Sequence, residues 1–451
     1  MLKSSMKNKV LVSSFLIIIV SSFVPYLGRS TTGESLPPHF HSPTLESWIN
    51  GTWQNEFEKF RDRNFGFRNS WVRCKNFIYY MLNFGQFHSS YNGSIYQGRS
   101  GFLFERYYLT NQFNWSNSDL NFNWLHFNLN KVSELKLQLS NYDVTLFFNL
   151  FPNKASQLQS QWPFLWDLQK KYNPSPIDYY SVWQTAAQSK SIPTFNMQSF
   201  FNQSHENDAY YFSKSGTHWS LAMASSAIEP FSESLKKQTG ISLSLPSFEG
   251  WDVDTRELHR ENDLGNLLNL PASVQNTFTK KQKFYYPKYS KHPRKFIPMT
   301  IYGDSFNVQW ERALMSAGVI ESGSSFQTHN QLLSHKEVYD MIERGGILSL
   351  GYGLANLTGT RIGNEAENIL KLMQKPYFES GFYFENDAIW LKKQARMKFL
   401  VPKHNVSDFV MTTSLLDKIP LVNSLTVSLN NQVISVLNWT GPKYHRTASI
   451  T

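Results

Sequence analysis

The chain has 451 residues, a net charge of +10 at pH 7 and a single cysteine, Cys74. Aromatic residues make up 16% of it, which argues against an intrinsically disordered protein. One cysteine excludes an intramolecular disulfide framework and a cysteine-based zinc site. The length allows two or three domains with a sizeable core.

The N-terminal segment carries the clearest topological signal. Lys3, Lys7 and Lys9 precede an uncharged apolar run at residues 10–28. A basic flank before such a run is typical of a signal peptide or a signal anchor. The run is long for a signal peptide and no A-x-A cleavage site follows it. We therefore predict an uncleaved anchor in residues 1–30, with cleavage as the alternative, and place the rest of the chain outside the cytoplasm.

The positive net charge suits a polyanionic partner. Because export makes nucleic acid an unexpected partner, the charge favours an acidic polysaccharide or an anionic membrane surface. Compositional bias alone is the alternative explanation.

The elements after the N-terminus predict an α/β domain. Residues 31–43, TTGESLPPHFHSP, are polar and Pro-rich and indicate a linker. Over residues 44–385, helical patterns alternate with the apolar strands DVTLFFNLFP, IPTFN, KFIPMTIYG and GILSLGYG. Such alternation predicts a mostly parallel sheet covered by helices on both faces. Short alternating strands in residues 386–451 predict a small, sandwich-like all-β segment, a candidate for carbohydrate binding.

The stretch MTIYGDSFNVQW places Ser305 where a strand turns into a helix. A serine at such a turn exposes its hydroxyl at the carboxyl edge of the sheet, where α/β proteins build their sites. The N-terminus of the following helix adds backbone N–H groups for a developing oxyanion. Ser305 is therefore a candidate nucleophile, and an N-cap is the alternative role.

A serine nucleophile needs a base, and His218 in YYFSKSGTHWS is the candidate. The residue two before it, where a carboxylate would help to orient the ring, is Gly216. Asp178, Asp208 and Asp263 remain as possible third members, and a backbone carbonyl is a further alternative. No second histidine or carboxylate lies at ligand spacing around His218, so we expect neither a metal site nor a cofactor.

Five segments in order carry a family resemblance: GRSGFLF (98–104), FPNKA (151–155), YFSKSGTHWS (211–220), DLGNLL (263–268) and IYGDSF (301–306). Together they resemble the alginate O-acetyltransferases of the AlgX/AlgJ type, which have an SGNH-hydrolase-like domain in permuted order. Ser305 matches the family's nucleophile and His218 its base, flanked by Thr217 and Trp219. The family's aspartate falls on Gly216.

The resemblance implies a periplasmic enzyme, here anchored to the inner membrane, that acetylates hydroxyls of an exported polysaccharide. It also implies a membrane-bound O-acyltransferase partner that supplies the acetyl group. His218 would deprotonate Ser305, and a sugar hydroxyl would attack the resulting acetyl-serine. The alternatives are an acetylesterase of the same fold and, because of Gly216, a non-catalytic polysaccharide-binding or scaffold protein.

Overall fold

A computed structural model describes the chain from residue 44 onward, with gaps. The described ranges are 44–64, 68–82, 86–88, 94–111, 123–172, 178–202, 211–254, 261–271, 283–290, 296–321, 325–327, 332–357, 359–375, 377–385, 388–398, 409–414, 424–429, 432–438 and 445–450. The predicted anchor at residues 1–30 and the linker at 31–43 lie outside these ranges.

The secondary structure of the described residues alternates between helices and strands. The helices are α1 (Leu45–Ile49), α2 (Thr52–Asn64), α3 (Arg68–Leu82), α4 (Arg106–Asn111), α5 (Asn123–Ser140), α6 (Lys154–Gln157), α7 (Phe164–Tyr172), α8 (Tyr179–Ser189), α9 (Met197–Asn202), α10 (Leu221–Ser226), α11 (Ile228–Thr239), α12 (Asp263–Leu267), α13 (Asn307–Ser316), α14 (His335–Arg344), α15 (Leu354–Leu357) and α16 (Arg361–Met373). The strands are β1 (Gln86–His88), β2 (Ser94–Gln97), β3 (Leu103–Glu105), β4 (Val144–Phe151), β5 (Thr194–Asn196), β6 (Phe248–Asp254), β7 (Phe284–Tyr289), β8 (Met299–Gly303), β9 (Ser325–Gln327), β10 (Gly346–Gly353), β11 (Tyr377–Glu385), β12 (Ala388–Lys398), β13 (Phe409–Ser414), β14 (Ser424–Leu429), β15 (Gln432–Asn438) and β16 (His445–Ile450).

The centre of the fold is a five-stranded sheet with the order β5-β4-β10-β8-β9. Each neighbouring pair in it is parallel. Because all five strands run the same way, their carboxyl ends share one edge, and the loops that leave this edge can meet. The predicted parallel sheet is confirmed, and all four predicted apolar strands belong to it.

Alternate residues of the sheet pack into two apolar clusters, one on each face. Phe147, Phe151 and Ile301 belong to the cluster that includes helices α10, α11 and α13. Leu146 and Phe148 belong to the cluster that includes helices α5, α8, α14 and α16. This division follows from the two-residue period of a strand, and it explains why the strands read as continuous apolar runs.

Two helix boundaries in the segment after His218 follow from the local sequence. The Ser220 side chain caps α10 by accepting from the Met223 N–H, and Gly240 ends α11 in a left-handed conformation. The structure has two helices here, which meet at Ala227.

The C-terminal strands pair as antiparallel hairpins: β11 with β12, β13 with β16, and β14 with β15. The predicted all-β character of this segment is confirmed, and a sandwich arrangement of the pairs stays a prediction. The predicted boundary at residue 386 falls between β11 and β12. Among the described residues, no helix is both long and apolar enough to span a membrane.

Candidate active site

The turn that carries Ser305 is held by hydrogen bonds around Asp304. Gly303 has a φ of 143°, and a Cβ added to it would lie 2.0 Å from the Gly351 carbonyl oxygen, so only glycine fits. Asp304 Oδ1 accepts from the Phe306 N–H at 3.0 Å, and Oδ2 accepts from the Gly353 N–H at 2.6 Å. The Ser305 side chain is thereby presented at the carboxyl end of β8.

Asn356 lies in the segment GYGLAN, beyond the neighbouring strand β10. Its Nδ2 donates to Asp304 Oδ2 at 2.8 Å, and its Oδ1 accepts from Arg361 Nη1 at 2.8 Å. Burial raises the pKa of Asp304, while the hydrogen bonds from Gly353, Asn356 and Phe306 act to lower it. Asn356 therefore helps to hold the turn that presents the serine.

His218 reaches Ser305 directly. Its Nε2 lies 2.8 Å from Ser305 Oγ, and the residue as a whole is 8% exposed. The indole of Trp219 donates to the Phe306 carbonyl oxygen at 2.9 Å, which fastens the histidine segment to the serine turn. The candidate nucleophile and base, predicted from segments 87 residues apart, are thus brought into hydrogen-bonding contact.

Asp263 supplies the carboxylate that Gly216 lacks. Its Oδ2 lies 2.8 Å from His218 Nδ1, on the far side of the ring from Ser305. Its Oδ1 accepts from the Thr217 N–H at 2.7 Å and from its own neighbour, the Leu264 N–H, at 2.9 Å. The carboxylate thus accepts from an N–H group next to His218 and from one next to Asp263 itself. These two hydrogen bonds fix its orientation toward the imidazole ring.

The other two candidate aspartates do not join the described site. Asp178 is the N-cap of α8, where its Oδ1 accepts from the Tyr180 and Ser181 N–H groups. Asp208 lies outside the described residues. Of the three candidates left open by the sequence, the structure brings Asp263 to the histidine.

The position of Gly216 explains why the carboxylate cannot lie there. A Cβ added to Gly216 would lie 2.6 Å from the Glu261 carbonyl oxygen and 2.6 Å from Ser213 Oγ. Ser213 and Glu261 are themselves hydrogen-bonded, and the Gly265 N–H donates to the Ser215 carbonyl at 2.9 Å. The segments of His218 and Asp263 therefore pack too closely for a side chain at residue 216.

Replacing Gly216 with Ala is expected to lower the free energy of unfolding by about 1–3 kcal/mol, because the added methyl group overpacks this contact. Gly216→Asp should be at least as unstable and should not raise activity. Urea unfolding and acetyl-transfer assays on both variants would measure this. A Gly216→Asp variant as stable and active as the wild type would contradict it.

Lys154, in the segment FPNKA, is a buried cation that the sequence analysis did not single out. It is 4% exposed, and its Nζ donates to the carbonyl oxygens of Leu103, Lys214 and Gly216 at 3.0, 3.0 and 2.6 Å. Burial lowers its pKa to about 7, while Asp263 and Glu105 act to raise it. Three carbonyl acceptors need three donors, which only the ammonium form supplies.

Lys154→Met is expected to lower the free energy of unfolding by about 2 kcal/mol or more, because it leaves three buried carbonyl groups without their donor. Lys237→Met is the control, since Lys237 is exposed on α11, and its effect should stay within about 0.5 kcal/mol. Urea titration of both variants measures the difference. Equal stability of the two variants would rule out a structural role for the Lys154 ammonium.

Glu105, at the end of β3, was also missed. Burial raises its pKa to about 7, with a further increase from Asp263, while His218 and Lys154 act to lower it. The signal that could have found Glu105 was its position directly after GRSGFLF. That segment carries the family resemblance, but no role was assigned to the residue that follows it. A perturbed carboxyl close to the candidate base His218 is a candidate functional group.

Comparisons with known proteins show that part of the chain is similar to a known family. Residues 95–296 match a family model described as "SGNH hydrolase-like domain, acetyltransferase AlgX". The match contains His218 and Asp263 and ends before Ser305. A sequence comparison with curated proteins finds no match.

Solved structures with some similarity include proteins from three bacteria. The O-acetyltransferase domain of Pseudomonas putida AlgJ has 16% identity and a TM-score of 0.44, covering 62% of this chain and 98% of that one. Pseudomonas aeruginosa AlgX has 16% identity and a TM-score of 0.38, covering 61% of this chain and 66% of that one. Bacillus cereus PatB1 has 12% identity and a TM-score of 0.38, covering 60% of this chain and 99% of that one.

The family match and the parallel sheet agree with the expectations drawn from the sequence. The predicted α/β, SGNH-hydrolase-like fold is confirmed, and four of the five quoted segments, from GRSGFLF to DLGNLL, lie within the matched residues. The resemblance to the AlgX-type acetyltransferases is thereby confirmed, and residues 95–296 of this chain are similar to the SGNH hydrolase-like domain of that family.

Proposed function

We propose that this protein transfers acetyl groups to hydroxyls of an exported polysaccharide through an acetyl-Ser305 intermediate. The supporting observation is the hydrogen-bonded series Ser305–His218–Asp263, with 2.8 Å at both contacts. An ionised carboxylate can only accept, so Asp263 keeps the imidazole proton on Nδ1. His218 Nε2 is then free to accept the proton of the Ser305 hydroxyl.

The reaction has two steps, and His218 serves both. In the first, Nε2 takes the Ser305 proton as Oγ bonds to the acetyl carbon, and the leaving group of the donor departs with that proton. In the second, a sugar hydroxyl gives its proton to Nε2 and attacks the same carbon, and Ser305 Oγ leaves and recovers the proton. Asp263 stabilises the imidazolium that forms in each step.

Each step passes through an oxyanion, and the serine turn supplies a place to stabilise it. Helix α13 begins at Asn307, two residues after Ser305, so the positive end of its dipole lies near the serine. We assign the first oxyanion donor to the Ser305 N–H. This position follows from the turn that Gly303 and Asp304 impose.

The proposed setting of the reaction is the periplasm. Residues 1–30 would anchor the chain in the inner membrane, and a membrane-bound O-acyltransferase would supply the acetyl group. The basic flank and apolar run at the N-terminus support the anchor, and the family resemblance supports the partner.

The two alternatives drawn from the sequence were a non-catalytic scaffold protein and an acetylesterase. The scaffold hypothesis depended on the absence of a carboxylate behind His218, and Asp263 removes that reason. An acetylesterase would use the same three residues and differ only in taking water as the acceptor. The choice between transferase and esterase therefore depends on the acceptor.

The test is to trap the intermediate on the full chain. The protein is mixed with an activated acetyl ester, quenched in acid and digested, and mass spectrometry locates the acetyl group. We expect it on Ser305, and we expect an added oligosaccharide to remove it as an acetylated sugar. Acetylated sugar formed without acetyl-Ser305 would refute the mechanism. Loss of the label to water, at a rate unaffected by the oligosaccharide, would identify an esterase.

A further inference from the structure

Helix α3 turns its more apolar side to the solvent. The exposed residues on that side form what we call the α3 stripe: Trp71, Cys74, Lys75, Ile78, Tyr79, Met81 and Leu82. Its five large apolar or aromatic members are each between 46% and 70% exposed. Residues three, four and seven apart lie on one side of a helix, so these side chains form one surface. A helix on the surface of a globular protein normally has the opposite arrangement, with its polar side outward.

The other side of α3 is held by the rest of the domain. Asn76 Nδ2 donates to the Leu268 carbonyl oxygen at 2.9 Å. Phe77 and Tyr80 pack against an apolar cluster that includes Leu264. Because these contacts already fix the helix, the packing of the domain does not explain why the stripe is apolar.

Exposed large apolar side chains are concentrated in the N-terminal helices. There are eighteen of them among the residues whose exposure the structure describes, and nine lie in α1, α2 and α3. In α1, Leu45, Trp48 and Ile49 are exposed at helical spacing. Single exposed apolar residues need no explanation, whereas a concentration of them marks an interaction surface.

The composition of α3 favours an anionic lipid surface as the partner. The helix contains Arg68, Arg73 and Lys75 and no acidic residue. This charge attracts anionic lipid, and it opposes pairing of α3 with α3 of a second copy. Lys75 Nζ lies over the Tyr79 ring, 5.7 Å from its centre. Tyrosine, tryptophan and lysine side chains suit the headgroup region, where an apolar body meets lipid and a polar end meets water.

The predicted anchor keeps this surface close to a bilayer. Residues 29–43 separate the apolar run at residues 10–28 from Thr44, where the described part of the chain begins. At about 3.3–3.6 Å per residue, this segment reaches at most about 50 Å. Such a tether makes the contact of α3 with the bilayer intramolecular, so a low affinity of the stripe for lipid is enough to hold it there.

We propose that the α3 stripe lies on the anionic surface of the membrane that holds the anchor. Trp71, Ile78 and Leu82 enter the headgroup region, and Lys75 reaches the lipid phosphates. Leu264, the neighbour of Asp263 in the chain, belongs to the cluster against which the inner side of α3 packs. The stripe thereby determines which face of the domain meets the membrane, an inference that rests on the anchored setting proposed above.

The test uses Cys74, the single cysteine of the chain, which is exposed in the stripe. The full chain is spin-labelled there and reconstituted in vesicles of phosphatidylethanolamine and phosphatidylglycerol. The accessibility of the label to oxygen, which concentrates in lipid, is divided by its accessibility to a water-soluble nickel complex. The control is a label at Lys237→Cys in a Cys74→Ser chain, since Lys237 is exposed on α11. We expect the ratio at Cys74 to be about threefold higher or more.

The outcomes separate the docking of α3 from the anchor and from the chemistry. Equal ratios in a protein that floats with the vesicles would overturn the docking and leave the anchor standing. A protein that does not float would overturn both. Magnetic coupling between the labels of two molecules would assign the stripe to a second copy and overturn the proposal. Trapping of acetyl-Ser305 on the same vesicles tests acetyl transfer independently.

The variant Ile78→Glu places a charge in the stripe that anionic lipid repels. Ile78 is half exposed, so little stability should be lost. We expect the Cys74 ratio to fall to the control value while the protein still floats on its anchor. Leu137→Glu, at an exposed leucine of α5, is the matched control and should keep the wild-type ratio. A wild-type ratio in Ile78→Glu would overturn the proposal.

Discussion

Ser305→Ala is expected to reduce acetyl transfer, and hydrolysis of an activated acetyl ester, by at least about 10⁴-fold. The reason is that His218 Nε2 has its 2.8 Å contact with Ser305 Oγ, and alanine removes the atom that forms the acetyl bond. Little stability should be lost, because the turn is held by Asp304 and not by the serine side chain. Steady-state kinetics with intact-mass detection of the acetyl-enzyme measures the effect.

The matched control is Ser232→Ala on α11, which should keep wild-type activity. Thermal unfolding of both variants shows whether the fold is preserved. If Ser305→Ala retained transfer within tenfold of the wild type, the nucleophile would have to lie elsewhere, and the proposed mechanism would be wrong.

Asp263→Asn is expected to lower kcat by about 10³–10⁴-fold with little change in stability. The asparagine amide can donate to His218 Nδ1, which would place the ring proton on Nε2 and prevent it from accepting the Ser305 proton. Its carbonyl oxygen can still accept from the Thr217 N–H, as Asp263 Oδ1 does at 2.7 Å. The substitution therefore changes the tautomer while it preserves the contact between the two segments.

Asp178→Asn provides the control, because Asp178 was an equal candidate in the sequence and caps α8 in the structure. Asparagine is also a good N-cap, so both stability and kcat should stay near the wild-type values. A kcat for Asp263→Asn within about fivefold of the wild type would show that His218 does not depend on this carboxylate. Measuring kcat and KM separately matters, because the expected loss is in kcat.

The sheet and the serine turn were predictable because their signals are local. Strands such as DVTLFFNLFP are continuous apolar runs, and burial on both faces of a parallel sheet requires such a pattern. Ser305 follows a strand and a glycine directly, so its position at the carboxyl edge could be read from adjacent residues. His218 was harder to place, and it became a candidate through Ser305 and the family order of segments.

The parts of the site that could not be predicted from the sequence depend on contacts between distant segments. Asp263 lies 45 residues from His218 in the chain. Unlike Asp178 and Asp208 it lies in a segment of the family resemblance, DLGNLL, but the sequence assigned it no role there. Lys154 acts through backbone carbonyl groups, which leave no trace in the sequence. Glu105 owes its raised pKa to burial and to Asp263. Tertiary contacts of this kind decide which of several plausible side chains reaches a site.

The close packing of the segments that carry His218 and Asp263 has a consequence for how such sites are recognised in other proteins. Ser213, Ser215, Glu261 and Gly265 join the two segments by hydrogen bonds, which brings the Asp263 carboxylate to the imidazole of His218. The carboxylate behind a histidine can therefore come from a second segment of the chain while the histidine and the serine keep their places. Comparing positions in the chain alone would miss the carboxylate behind His218, whereas comparing positions in space finds it in Asp263.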